Sequence, residues 1–399
     1  MTGHAVTRSD AEICTTAGMD PGTHHGAVAP PIYQTSLFAQ PSMAVFAEHQ
    51  ASEHEDFVYS RGANPTVAVL ARALAELERG EAAQCFGSGM GAISAVWTTL
   101  LRAGDHVLLL NDVYGPTLQL AQHLERLGVE HTLLRSPGED WEQHLRPSTR
   151  LIHLESPGTY RMKVLDLRAI ADAARARGIT TVIDGTWATP LFQKPLEHGI
   201  DVVVHSLTKY VGGHSDVLGG AVVGSAAFVR DLFYAGFQLQ GSVMSALEAS
   251  LVLRGLRTLP VRMAEHQRNA IRVVDYLQTR PEVAAVHHPH ADLPADHRLR
   301  REQLTGVTGL VGLDLAEATP QAVARFVDAL RLFRIGPSWG GYESLVTSPS
   351  KPGGEAAMAA QGFSSGMVRL SVGLEGADAQ IADLAQALDS LARYSPHPL

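Results

Sequence analysis

This chain contains few lysines. Of its 32 basic residues 28 are arginine, and the lysines are Lys163, Lys194, Lys209 and Lys351. A lysine kept in such a background is a candidate for amine chemistry. Lys209 stands in the segment HSLTKY, three residues after Ser206 and one after Thr208. Hydroxyls so placed can hold phosphate oxygens while a desolvated amine forms a Schiff base with an aldehyde. A second candidate is CFGSGMGAI, Cys85 to Ile93, which reads as a short strand, a glycine-rich turn and a helix start. Backbone N–H groups at such a start bind phosphate. The pattern Gly87-x-Gly89-x-x-Ala92, with Asp112 about 20 residues on, also satisfies a loose dinucleotide fingerprint. Taken alone, the loop leaves open a nicotinamide dinucleotide, another nucleotide or a different phosphate ester. A third group is polar: Asp112, Tyr114, Glu155 and Asp184 each follow an apolar run.

These residues need elements to position them. Apolar runs predict strands at 106–112, 149–155, 180–184 and 201–206. Helical patterns lie around them. One starts at Asn64-Pro65, carries Val67, Leu70, Leu74 and Leu77, and stops at Gly80. Another carries Leu120, Leu124 and Leu127 before Gly128. A third is capped by Asp166 and carries Leu167, Ile170 and Ala174 before Gly178. Strands alternating with amphipathic helices predict an α/β fold with a mostly parallel sheet covered on both faces. Ligands of such sheets bind beyond the carboxyl ends of the strands. There Asp112, Tyr114, Glu155, Asp184, Ser206, Thr208 and Lys209 would converge. After about residue 255 the pattern changes. Alternating runs at 309–315 and 367–373, a helix begun by Thr319-Pro320 and a last helix with Ile381, Leu384 and Leu388 predict a smaller α+β unit. Val368, Leu370 and Val372 would share one strand face, leaving Arg369 on the other, and arginine suits bidentate carboxylate binding. The first sixty residues show little periodicity and read as an extended arm.

Lys209 decides between the phosphate ligands. Pyridoxal phosphate needs a phosphate cup, a lysine, a carboxylate for its ring nitrogen and a side chain stacked on its ring. The sequence offers Gly89, Met90, Ser206 and Thr208, then Lys209, Asp184 and Tyr114. A dinucleotide enzyme has no evident use for Lys209 and Asp184 in this order.

The segments GAVAPPIYQTS, YSRGANPT, GSGMGAI, DVYGPT, LIHLESPG, VIDGTWATPLF, GIDVVVHSLTKYVGGHSD, RGLRTL, SWGGYESL and VRLSVGLE run from about Gly26 to the last helix. Together they resemble the transsulfuration (Cys/Met metabolism) family of pyridoxal-phosphate enzymes, and most closely its cystathionine β-lyase branch. The resemblance implies the fold type I architecture, with an N-terminal arm over 1–59, a cofactor domain over 60–255 and a C-terminal α+β domain over 256–399. It implies that Lys209 is the Schiff-base lysine, that Asp184 pairs with the ring nitrogen and that Tyr114 stacks. Gly89, Met90, Ser206 and Thr208 would hold the phosphate. Tyr59 and Arg61 would reach the cofactor of a neighbouring subunit, in a homotetramer built as a dimer of dimers. Substrate would meet Arg369, Ser338, Trp339, Thr159 and Tyr59. Trp339, Tyr114-Gly115-Pro116 and the ESPG segment point to β-elimination from L-cystathionine or a related cysteine thioether. The chain departs from the family pattern at Gly185, where asparagine is usual, at Thr159-Tyr160 and at Lys163, and from typical β-lyases at His205-Ser206-Leu207, and these departures bear on the substrate.

Composition agrees with a cytoplasmic enzyme of small molecules. The net charge of −9 argues against nucleic acid. The apolar run from Val217 to Val229 is shorter than the ~20 residues of a membrane span, and the N-terminus shows no apolar signal core. Two cysteines, Cys14 and Cys85, cannot build a disulfide framework. His287, His288, His290 and His297 match no metal-ligand spacing and read as a surface loop, so no metal is expected.

Overall fold

A computed structural model of the chain describes residues 8–136, 138, 140–294 and 297–392. Seven strands form one sheet: β1 (Ala82–Phe86), β2 (His106–Leu110), β3 (Glu130–Leu134), β4 (Thr149–Glu155), β5 (Thr180–Asp184), β6 (Val202–Ser206) and β7 (Gly220–Gly224). Their order is β1-β7-β6-β5-β4-β2-β3. The pairs among β2 to β6 are parallel, and β7 runs antiparallel to both β6 and β1. Both sheet faces are covered, which is why the strands are nearly all apolar. Along β2, Val107 and Leu109 enter the core with Ile93 and Trp97, while Leu108 and Leu110 enter the opposite one with Ile152, Leu154 and Ile170.

The helices follow from local chemistry. α1 is Asp10–Thr16, α2 Met43–Ala51, α3 Pro65–Glu78, α4 Gly89–Leu100, α5 Gly115–Glu125 and α6 Leu167–Arg175. Asn64 caps α3 through the Thr66 amide, and Asp166 caps α6 through the Ala169 amide. Arg79 ends α3 by turning left-handed at φ +61°, and Gly80 follows because a Cβ there would lie 2.5 Å from Val223.

Four expectations need correction. The arm is not wholly extended: Ser9 and Glu12 form a reciprocal capping box that starts α1, which buries Ile13 and Cys14. Asp10 anchors it to Arg79 at 2.7 Å and Lys194 at 2.8 Å. α2 also forms, although it buries no side chain. The strand from 106 stops at Leu110, because Asn111 turns to φ +79° and its Nδ2 donates to the carbonyls of Glu155 and Lys163. α5 ends at Glu125, so its buried face is Thr117, Ala121 and Leu124 while Leu127 is 57% exposed. The histidine-rich segment is not a loop. Val283–His287 is a strand, His287 pairs with Asp314 at 2.8 Å, and buried His288 contacts the Thr308 carbonyl through Nε2. His290 faces Asp275, and His297 caps the next short helix through the Leu299 amide. Among the described residues no group of three or more His, Cys, Asp or Glu could hold a metal ion.

A second sheet has five strands: β8 (Val283–His287), β9 (Leu310–Leu315), β10 (Arg334–Ile335), β11 (Leu345–Thr347) and β12 (Met367–Ser371), in the order β10-β11-β12-β9-β8. Val368 and Leu370 of β12 are fully buried in its core, and Arg369 alternates with them. The helix Leu259–Leu277 touches both sheets' functional ends. Its buried Arg262 donates to the carbonyls of Tyr210 and Gly255, while His266 and Asn269 donate to those of Val372 and Gly373, just past β12. Among the described residues no helix is long and apolar enough to cross a membrane.

Leu124 near the end of α5 and Leu127 just beyond it give a direct comparison. Leu124→Ala should cost about 2–5 kcal/mol, as burial and cavity formation require. Leu127→Ala should stay within about 0.5 kcal/mol, since it lies outside the core. Urea unfolding of both variants measures this.

Candidate functional site

The parallel strands end on one pocket. Its walls include Tyr114 beyond β2, Glu155 at the end of β4, Asp184 at the end of β5, and Ser206, Thr208 and Lys209 at and after β6. Gly89 and Met90 of α4, Thr159, Trp339 and Arg369 complete it.

Lys209 lies in a tight turn. Its amide donates to the Ser206 carbonyl, its carbonyl accepts from Gly213, and Gly212 donates back to Leu207. Arg262 saturates the next carbonyl, that of Tyr210, at 2.6 Å. The amine donates to Ser338 Oγ at 2.8 Å and lies 5.6 Å from the Trp339 ring centre. Burial, with help from the Arg369 charge and against that of Asp184, lowers the amine to about 8. It is therefore a stronger nucleophile near neutrality than an ordinary lysine.

At one end of the pocket lies the start of α4, with Ser206 and Thr208 beside it. Ser88 caps α4 by accepting from the Gly91 amide at 3.0 Å. The first amides of α4, on Gly89 and Met90, have no partner within the helix. Gly89 packs so close to Ser206 that a Cβ would lie 3.0 Å from the serine Cβ, so a side chain there would crowd the serine. The hydroxyl of Thr208 accepts from the Gly219 amide at 3.1 Å.

Two carboxyls meet at another part of the pocket. β4 and β5 pair Glu155 directly with Asp184. The Asp184 carboxylate accepts from the Thr186 amide at 3.0 Å and from the Thr186 hydroxyl, while Thr186 Oγ1 accepts from the Ser206 amide at 2.8 Å. Burial raises Asp184, and the Thr186 bonds, then His205 and Lys209, work against that. Glu155 is 7% exposed and pushed well above the usual carboxylate range, first by burial and then by Asp184. Two like charges this close oppose each other, and Asp184 is the better served with donors. Glu155 accepts from the Tyr114 amide and, at 2.6 Å, from the Thr159 hydroxyl. It thus fixes two other wall residues. Tyr114 itself is 45% exposed, with its ring free to cover a ligand.

Arg369 is 6% exposed, donates to the Pro337 carbonyl at 3.2 Å and lies 5.2 Å above the Tyr160 ring. Trp339 packs edge-on against Tyr210, 5.4 Å between ring centres.

Asp112 does not join the pocket. It is 1% exposed and accepts from the amides of Tyr160 and Arg161 at 2.8 and 2.9 Å. Its carboxylate shapes the loop under Arg369, so it cannot serve a ribose as the dinucleotide fingerprint would require. Tyr59 and Arg61 lie elsewhere, around a second cavity with Tyr33, Asn64 and Met244, and Arg61 stacks over Tyr59 at 5.2 Å. Thr186, Ser88 and Trp187 also line the site and were not anticipated. The Asp-Gly-Thr triplet signals the Asp184–Thr186 bond, since an aspartate readily bonds its own backbone two residues on.

An amine, a helix-start cradle with two hydroxyls, a buried carboxylate and an open aromatic ring suit pyridoxal phosphate, with Lys209, Gly89, Met90, Ser206, Thr208, Asp184 and Tyr114 as the residues that could hold it. Comparison with known proteins agrees. The profile of the Cys/Met metabolism PLP-dependent enzymes matches residues 12–389. The chain is 40% identical over 382 residues to L-methionine gamma-lyase of Pseudomonas putida, covering 94% of this chain and 96% of that protein. It is equally 40% identical over 383 residues to cystathionine beta-lyase of Bordetella avium, covering 94% and 96%. The crystal structure of cystathionine gamma synthase from Xanthomonas oryzae pv. oryzae, in complex with aminoacrylate and cysteine, superposes with a TM-score of 0.89 at 35% identity, covering 97% of this chain and all of that one. The fold is PLP fold type I, the cofactor is pyridoxal 5′-phosphate, and the chain belongs to the Cys/Met metabolism family of PLP-dependent enzymes.

Proposed function

We propose that this enzyme is a carbon–sulfur β-lyase that splits L-cystathionine or a related cysteine thioether into a thiol, pyruvate and ammonia. The observation that carries this reading is the place of Trp339. Its ring stands beside the Lys209 amine and is braced from behind by Tyr210. A rigid wall there holds the Cβ–S bond of a long substrate across the pocket and hinders a shift to γ chemistry. The name of the Bordetella avium relative supports the same reading. γ-Elimination is the competing reading, favoured by the name of the Pseudomonas putida relative.

Bound pyridoxal phosphate supplies an aldehyde for the substrate amine and a ring that withdraws electrons from Cα. The chain's own residues supply the rest. Arg369 takes the substrate carboxylate in a bidentate grip. Lys209 Nζ, neutral above about 8, removes the Cα proton, and Ser338 Oγ steadies that nitrogen. Asp184 as a carboxylate holds a proton on the ring nitrogen, and Tyr114 covers the ring. Thr159, fixed by Glu155, and Trp339 shape the space around the leaving group. Tyr59 and Arg61 act in a second copy's pocket, in a homotetramer built as a dimer of dimers. A cytoplasmic location accords with two buried free cysteines.

Three measurements test this reading. Apoprotein mixed with pyridoxal phosphate should gain visible absorbance at a rate that rises with pH and levels off above about 8, because only the neutral amine attacks; a rise continuing to the ~10.4 of a free lysine would contradict the lowered amine. Wild type given cystathionine should release mainly pyruvate, and Trp339→Leu should shift the pyruvate to 2-oxobutyrate ratio by about 1–3 kcal/mol, the size of a pocket-packing change. Mainly 2-oxobutyrate from wild type would replace the β reading with the γ one, and a lower melting temperature with an unchanged ratio would reduce Trp339 to packing. Mixing inactive Arg61→Ala with inactive Lys209→Ala should restore partial activity, since a hybrid can contain one whole site; no rescue after verified subunit exchange would refute the shared pocket.

A further inference from the structure

A cation enclosed as deeply as Arg369 ordinarily has a carboxylate for a partner. Arg369 is held in another way. It is buried, and burial works against its charge. Its Nη2 donates to the Pro337 carbonyl at 3.2 Å, and its Cζ lies 5.2 Å from the centre of the Tyr160 ring. Neither contact neutralises the guanidinium. A carbonyl takes one N–H, and a ring attracts a cation by its face without accepting a hydrogen bond in the guanidinium plane. The charge and the other N–H groups are left for an incoming anion.

The backbone sets the Tyr160 ring in that place. β12 and β9 pair Arg369 directly with Gly312, and directly opposed residues of antiparallel strands share a sheet face. Gly312 has no side chain there, and the Tyr160 carbonyl fills the space: a Cβ on Gly312 would collide with that oxygen. The loop after β4 thus lies against the second sheet because the register partner of Arg369 is a glycine. From the first sheet's side, the Tyr160 amide donates to Asp112 at 2.8 Å. The ring is braced by Phe363, edge-on with 5.6 Å between centres. Phe363 is itself buried with Met358 and Met367 and is faced by Arg161, 4.9 Å from its ring centre. Tyr160 therefore touches Arg369 with one part of its ring and a fixed apolar cluster with another.

We propose that Tyr160, seated against Gly312 and braced by Phe363, is a positioning residue for the substrate's α-carboxylate. Its ring holds the Arg369 guanidinium ready while leaving its charge and N–H groups to that carboxylate. This rests on Arg369 having the carboxylate role. A protein carboxylate in place of the ring would hold the guanidinium as well but would compete with the substrate for it. The departure at Tyr160 then bears on the amino-acid end of the substrate, whichever thiol leaves.

The test reads binding at that end with ligands that cannot eliminate. L-Alanine has no leaving group on Cβ, and L-alaninamide lacks the carboxylate charge. Holoenzyme is titrated with each and followed by the change in visible absorbance. Tyr160→Leu should weaken L-alanine binding about fivefold, the size of a cation–π contact. It should alter L-alaninamide binding by less than about twofold, as a site independent of that ligand does. Tyr160→Phe keeps the ring and should bind L-alanine within about twofold of wild type. An equal loss of both ligands in Tyr160→Leu, unchanged L-alanine binding in that variant, or a loss in Tyr160→Phe as large as in Tyr160→Leu overturns the inference. Arg369→Leu should weaken L-alanine binding far more than L-alaninamide binding; L-alanine binding like wild type in that variant would instead overturn the role given to Arg369. Should Tyr160→Leu fail to fold, Phe363→Leu, which removes the ring's brace, takes its place with the same carboxylate-selective loss expected.

Discussion

Parallel pairing of β4, β5 and β6 governs the rest of this molecule. Parallel strands share a direction, so their carboxyl ends lie together and the residues there face the same space. Glu155 and Asp184 are register partners, and Ser206 ends the next strand. A slip of one residue would send each of these side chains to the opposite face. The register is held by apolar residues on both faces, from Leu108 and Ile152 on one side to Val107 and Val182 on the other. The site's chemistry thus depends on a packing pattern that contains no chemistry of its own.

That geometry brings two acids together and must manage them. The structure does so by unequal provision. Asp184 receives donors from Thr186, whereas Glu155 is enclosed and pushed well above the usual carboxylate range. The enclosed Glu155 remains useful. Its oxygens hold the Tyr114 amide and the Thr159 hydroxyl, so two residues of the pocket wall are tied to the same strand end. Asp112 does similar work lower down, where it binds two amides and sets the loop that carries Tyr160 beneath Arg369.

Much of this was legible in the sequence, for a definite reason. Long apolar strands with polar residues at their ends mark both the sheet and its pocket, and Lys209, Asp184, Tyr114, Ser206 and Thr208 all sit at such ends. Arg369 was legible from the alternation of its strand. Features that depend on one strand's neighbours were not. Nothing local tells Glu155 that Asp184 lies beside it, or His205 that Glu78 will arrive from α3. Asp112 misled because the spacing count was right while the turn at Asn111 carried it out of the sheet. The short α1 was hidden by its length, although Ser9 and Glu12 announce its cap. The histidine-rich segment was misread because a five-residue strand with two alanines carries little apolar signal.

The helix Leu259–Leu277 has a wider consequence. Near its start Arg262 grips the turn that follows Lys209, and a turn or two later His266 and Asn269 grip the backbone after Arg369's strand. From Arg262 to Asn269 the helix advances about 10 Å. One stiff rod therefore acts as a ruler between the amine and the guanidinium. With Lys209 and Arg369 in the roles proposed for them, the span offered to an amino acid's α-carbon and carboxylate is set at the level of backbone geometry, shared by every substrate the pocket admits. Drift toward new thioethers has to work through the wall residues, because the ruler cannot be lengthened without moving both of the groups it measures.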